Sequence, residues 1–258
     1  MLNEYKKEFF SFDQDWGYVI YPENISKDIP VVLHFHGNRG YVKDGRADWL
    51  DEPKKQKFFK PALDSGFAIA GCHATGNHWG RGSAILANYK FFEQLKNIAE
   101  LNLNNITTWG CGLGASAAWL TSIGELNPYV KNFISQQGVL NFESIIRREK
   151  FKNELIEAHN RDISMDIEKA VQAFDPINPI TKTKLIIDKN EKKFPNSLFI
   201  HGDADENVDY SENPVMLNKL LSDIGANSKL NPLAGVGHAT YEHGEELGLI
   251  IAKFLLDE

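Results

Sequence analysis

Cysteine is scarce in this chain: two residues in 258 cannot build the disulfide framework of a small secreted domain. Cys72 and Cys111 fall at the ends of two strand-like runs that are expected to flank a third strand. Such strands lie about 9–10 Å apart, beyond the ~7 Å Cα separation that a bridge tolerates. Free thiols and a cytoplasmic setting are therefore expected. Long apolar runs are missing as well, since no stretch reaches the ~20 residues that span a bilayer. The opening Met1-Leu2-Asn3-Glu4-Tyr5-Lys6-Lys7 mixes acid and base ahead of no apolar segment, so neither a signal peptide nor a membrane partner is expected. Positive charge is also in deficit: 28 Lys and Arg face 35 Asp and Glu, for a net charge of -7. The densest basic run, Lys54-Lys55-Gln56-Lys57, follows Asp51-Glu52 and reads as a solvated helix face. With no basic stripe, no nucleic-acid partner is expected.

The remaining composition is that of a globular domain, 42% hydrophobic and 24% charged, and the length suits one α/β unit over residues 1–258. No repeat or low-complexity linker divides it. Short runs at 8–12 and 17–21 read as an opening antiparallel pair. Ile29–Phe35 is a β-branched run buried on both faces, and 67–72 is another. A helix closes at Asp64-Ser65-Gly66 with a glycine cap. Residues 83–99 carry helical spacing (Ile85, Tyr89, Phe92, Leu95, Ile98) behind a serine cap at Ser83. Further strands are expected at 130–135, 197–201 and Ser228–Leu233, with helices near 214–225 and 242–256. Alternation of this kind predicts a parallel sheet covered on both faces. The rhythm breaks between about 141 and 195, where helices at 142–159 and 165–174 are expected to form a small lid insertion over the site.

A third shortage concerns one atom. Ile106-Thr107-Thr108-Trp109-Gly110-Cys111-Gly112-Leu113-Gly114-Ala115-Ser116 is a strand, a glycine turn and a helix start, the outline of a G-x-S-x-G nucleophile elbow. Gly110 and Gly114 occupy the two glycine positions, and Gly112 stands where the serine belongs. Three more landmarks complete an ordered set: His36-Gly37 after the third strand, His201-Gly202-Asp203-Ala204-Asp205-Glu206-Asn207-Val208, and Gly235-Val236-Gly237-His238. Together, in the chain order nucleophile, acid, histidine, they resemble the α/β-hydrolase superfamily. The loop Gly76-Asn77-His78-Trp79-Gly80 is similar to one in its bacterial esterase and S9-peptidase-like members. The resemblance spans nearly the whole chain and implies a mostly parallel central sheet with helices on both faces.

It also implies roles. Asp205 would orient His238 through its Nδ1–H, His238 would be the general base, and the backbone amides of Leu113 and of Asn38 or its neighbour would form the oxyanion hole. Glycine at 112 keeps the turn and deletes Oγ, so no acyl-enzyme forms there. The expected function is accordingly a pseudo-hydrolase with a degenerate triad that binds a small ester-like ligand or a protein partner. A serine esterase or peptidase inactivated by glycine is the alternative. Ser116 offers a shifted register, G-x-S-x-A. A reading from another class takes Gly110-x-Gly112-x-Gly114 as a phosphate or nucleotide cradle, without the usual G-x-G-x-x-G spacing. No cofactor is expected. No metal is expected either: His34 and His36 alternate along a strand and point to opposite faces, and His73 and His78 lack a spaced set of co-ligands.

Overall fold

The β-branched runs pair into one eight-stranded sheet in a computed structural model that describes residues 1–190 and 193–257. Strands β1 (Lys7–Phe12) and β2 (Asp15–Ile20) form the antiparallel opening pair. Next come β3 (Ile29–Phe35), a small hairpin of β4 (Val42–Lys43) and β5 (Arg46–Ala47), then β6 (Ala68–Cys72), β7 (Leu101–Cys111), β8 (Val130–Gln136), β9 (Asn196–Gly202) and β10 (Ser228–Leu233). The sheet order is β1-β2-β6-β3-β7-β8-β9-β10, with every pair from β6 to β10 parallel. Cys72 and Cys111 lie on β6 and β7, either side of β3, and both are free and buried. The register of β3 on β7 slips between Pro30 and Val32, where proline has no N–H to give the ladder.

Helices cover both faces. On one lie α1 (Asp48–Asp51), α2 (Pro53–Asp64) and α10 (Gly244–Leu256). On the other lie α3 (Gly82–Leu95), α4 (Gly114–Ile123), α8 (Pro179–Lys189) and α9 (Met216–Asp223). Helix α2 ends as its sequence predicts, at Ser65 followed by Gly66 with φ +90°. Helix α3 does not begin as predicted. Its cap is Arg81, no side chain caps it, and Ser83 lies inside the first turn.

The segment expected as a lid holds α5 (Phe142–Arg147), α6 (Lys152–Ala158), α7 (Ile167–Phe174) and α8. One continuous helix over 142–159 is not formed, because Glu149 takes a left-handed φ of +59° between α5 and α6. Helices α5 to α7 share an apolar cluster with Trp79, Leu113 and Val208, so they sit on the loops at the strand ends. Helix α8 belongs to the sheet-covering layer. Ile180 enters the main core, and Trp119 Nε1 of α4 donates to Thr183 Oγ1 at 2.8 Å. Among the described residues no helix is long and apolar enough to cross a membrane.

Buried histidines give the fold a pH dependence. His34 on β3 is enclosed by Trp49, Phe59 and Trp109, with ring centroids 4.4, 4.9 and 5.4 Å away. Burial pushes its pKa well below the ordinary histidine range, and does the same to His78. Below about pH 6.5 the unfolded chain therefore binds more protons than the folded one. This contribution to stability is complete above the unfolded histidine value and is lost towards acid. Denaturant midpoints measured from about pH 7.5 to about pH 5 are expected to fall, and His34→Phe to fall less steeply. Parallel curves for the two proteins would show that His34 takes up no extra proton on unfolding.

Candidate active site

The four landmarks converge at the C-terminal ends of β3, β7, β9 and β10, where open parallel sheets place their ligands. Strand β7 ends at Cys111, and the chain reverses at Gly112, whose φ of +53° lies in the left-handed region, before α4 begins. Gly112 N–H donates to Gln136 O at 3.0 Å, while Gly112 O accepts from Ala115 N at 3.1 Å and Val139 N at 2.9 Å. The three glycines of the turn differ in what requires them. A Cβ on Gly110 would sit 2.4 Å from Ala115 Cα, and one on Gly114 would sit 2.3 Å from Phe35 O and 2.4 Å from His36 O. Close approach of backbone excludes a side chain at both. At Gly112 the nearest atom to a Cβ is Gly37 Cα at 3.9 Å, so the apex has room for one and only its backbone angle favours glycine.

Asp205 and His238 are brought together. Strand β9 delivers His201-Gly202, and Asp205 follows in a turn where its Oδ1 accepts from Asn207 N at 2.8 Å and Val208 N at 2.9 Å. His238 Nδ1 donates to Asp205 Oδ2 at 2.7 Å, which leaves Nε2 for the cleft. Burial pushes the Asp205 carboxyl up. The bonds from His201, His238 and the Val208 amide outweigh that and hold it well below the usual carboxylate range. Gly202 permits the two loops to meet, since a Cβ there would lie 2.1 Å from Val236 O.

Four residues to which the sequence assigned no role support the site. His201 Nε2 lies 3.1 Å from Asp205 Oδ2 and 2.9 Å from Val208 O, so the acid is flanked by two imidazoles. Gln137 Nε2 donates to Gly237 O at 3.1 Å, and Gln136 Nε2 to Thr240 Oγ1 at 3.2 Å. The stretch 136–139 thus holds the histidine loop with its side chains and the elbow with its backbone. Asn77 Oδ1 accepts from Arg39 N at 2.6 Å and steadies the loop that carries Asn38. The i, i+4 spacing of His201 and Asp205 is the only local hint among these contacts.

The Gly37-Asn38 loop lies against the elbow, with a Cβ on Gly37 placed 3.1 Å from Cys111 O. Among the described residues the Asn38 and Leu113 amides donate to no backbone acceptor, and Leu113 opens α4, where the helix dipole favours negative charge. The two neighbouring side chains with nucleophilic atoms, Cys111 and Ser116, are both buried. Burial pushes the Cys111 thiol up to about 12, which keeps it protonated. Ser116 is fully buried and its hydroxyl donates to Val139 O at 2.6 Å. The phosphate-cradle reading loses a donor, because Gly112 N–H is already taken by Gln136. His34 lies in the aromatic enclosure while His36 stacks on His73, with centroids 5.8 Å apart, and among the described residues no group of three or more His, Cys, Asp or Glu is placed to hold a metal.

No protein-family model and no curated protein sequence matches the chain. Solved structures do. Est1E from Butyrivibrio proteoclasticus superposes with a TM-score of 0.71 at 18% identity, over 97% of this chain and 98% of that one. An S-formylglutathione hydrolase from Agrobacterium tumefaciens gives 0.72 at 11% identity, covering 97% and 94%. The Pyrococcus horikoshii acylaminoacyl peptidase gives 0.74 at 14% identity, over 99% of this chain but 41% of the peptidase. The sheet order, the two helical layers and these likenesses define an α/β-hydrolase fold.

Proposed function

We propose that this protein is a pseudo-hydrolase: a ligand-binding member of the hydrolase fold whose site receives a small ester or carboxylate and forms no covalent intermediate with it. The observation that supports this is an Asp205–His238 pair held at 2.7 Å beside an elbow whose apex, Gly112, carries no side chain. Without Oγ the acyl-enzyme route is closed. The Leu113 and Asn38 amides, which donate to no backbone acceptor among the described residues, and His238 Nε2, left over by the bond from Nδ1 to Asp205, are suited to a carboxylate or carbonyl oxygen. Thermal-shift titration with short carboxylates and esters tests the reading: stabilisation is expected, and His238→Ala is expected to reduce it. No stabilisation by any of them would move the function to a surface interaction.

The same pair supports weak chemistry. Space beside Gly112 admits a water molecule, and His238 can take its proton during direct attack on an activated ester. Slow p-nitrophenyl acetate turnover without a burst is expected, with amides unreactive. His238→Ala should lower it by about 10²-fold, and Asp205→Ala by less, because the aspartate only orients the base. An unchanged rate in His238→Ala would assign the background to surface groups. The clearance at Gly112 also favours a second reading, an ester or amide hydrolase disabled by glycine at its nucleophile position, which Gly112→Ser addresses.

A further inference from the structure

A groove of about 580 Å³ opens on the face of the sheet carrying α3, α4 and α8, well inside the range of about 300–1,000 Å³ usual for small-molecule sites. Ile85 of α3 with Leu120 and Ile123 of α4 make its aliphatic wall. The facing wall is one stripe of α8. Lys182, Leu185, Ile186 and Lys189 follow the i, i+3, i+4, i+7 spacing that puts residues on a single helix face, two aliphatic side chains between two ammonium groups. Arg161 enters from the turn between α6 and α7, its guanidinium 4.9 Å over the Phe174 ring.

The groove's lining is of one charge sign: it holds Arg161, Lys182 and Lys189 and, among the described residues, no Asp or Glu. Among the described residues Arg161, Lys182 and Lys189 form no ion pair. Three uncompensated cations around an aliphatic cleft, in a chain of net charge -7, give it the opposite sign to the molecule as a whole. The groove is also separate from the elbow. Leu120 and Ile123 lie about two and three turns along α4 from Leu113. Between them and the elbow stands the loop around Gly80, where a Cβ would come 2.8 Å from Ser116 Cβ, pinned by His159 Nε2 to Trp79 O at 2.9 Å.

We propose that this groove is a second binding site, independent of the elbow, for a medium-chain aliphatic carboxylate. The tail leaves water between Ile85, Leu120 and Leu185. The carboxylate is received by the Arg161 fork with Lys182 beside it, a geometry in which a guanidinium makes two charge-assisted bonds. Each methylene moved from water to the aliphatic walls tightens binding roughly fourfold.

The test is displacement of dansyl-aminoundecanoate from the full-length protein, followed by its fluorescence. Octanoate, decanoate and dodecanoate should compete with affinities rising roughly tenfold or more per two carbons. Decanol and decyltrimethylammonium should compete at least about tenfold less well than decanoate. Arg161, Lys182 and Leu185 are exposed, so Arg161→Glu with Lys182→Glu, or Leu185→Asp alone, can be made without opening the core. Each variant should weaken dodecanoate by about tenfold or more. His238→Ala, which acts at the elbow, should leave this displacement unchanged. Equal competition by the cationic amphiphile, no dependence on chain length, no effect of the charge reversals, or loss of displacement in His238→Ala would each overturn the proposal.

Discussion

Gly112→Ser is expected to convert a chain that a fluorophosphonate leaves unlabelled into one that is labelled at residue 112. Ester turnover should rise by about 10³-fold and acquire a burst phase. The expectation rests on three features already in place. The apex backbone has the φ of +53° of a strand-to-helix elbow, a Cβ there meets nothing nearer than 3.9 Å, and His238 is oriented by Asp205 at 2.7 Å. Serine pays the left-handed backbone cost of about 1–2 kcal/mol, so Tm should drop by roughly 2–8 °C. Mass-spectrometric mapping of the labelled peptide decides the matter. Label on Ser116, or none at all, would mean that the elbow has been placed wrongly or that the amide donors are not aimed at its apex.

The largest stability effect is expected two residues along the same turn. Gly114→Ala sets a methyl group 2.3 Å from Phe35 O and 2.4 Å from His36 O, both backbone atoms that cannot swing aside. Either α4 or the end of β3 must move, at a cost of about 3 kcal/mol or more, which lowers Tm by roughly 6–12 °C. Because His36-Gly37 carries the Asn38 amide, the shift should also impair binding at the elbow. Gly112→Ala is the matched control: it adds the same methyl where space exists and incurs only the backbone cost. Thermal melts of the two variants side by side provide the comparison. Equal losses would show that backbone angle and not steric contact governs the whole turn.

The contrast shows where pattern reading succeeds. Ile29–Phe35 forms at the bounds its residues predict, because strand burial is written in neighbouring side chains, and Ser228–Leu233 also forms at its predicted bounds, as an edge strand with no fully buried residue. The G-x-G-x-G turn, the H-G-x-x-D loop and the terminal histidine are legible for the same reason, each being a local arrangement with its own spacing. Local patterns mislead where a competing interaction is not local. Ser83 reads as a cap, yet Arg81 holds that place, its guanidinium bonded to Ala158 O and Thr75. The charged run after Phe142 reads as one helix, yet Glu149 breaks it so that α5 and α6 can both pack on the loops below.

Residue order alone determined the strand and helix alternation, a glycine at the apex position 112 and the order of Gly112, Asp205 and His238 along the chain, since each depends on residue identity or on periodicity within a few residues. The fold was needed for everything that depends on approach between distant segments. Asp205 and His238 are 33 residues apart and meet only because β9 and β10 lie side by side. His201 and Gln137 have no role until packing carries them to the acid and to Gly237. The three glycines of the elbow look alike in sequence, but two are demanded by backbone contacts from β3 and α4 and one is not. The stripe on α8 becomes the wall of a groove only when α3 and α4 stand opposite it.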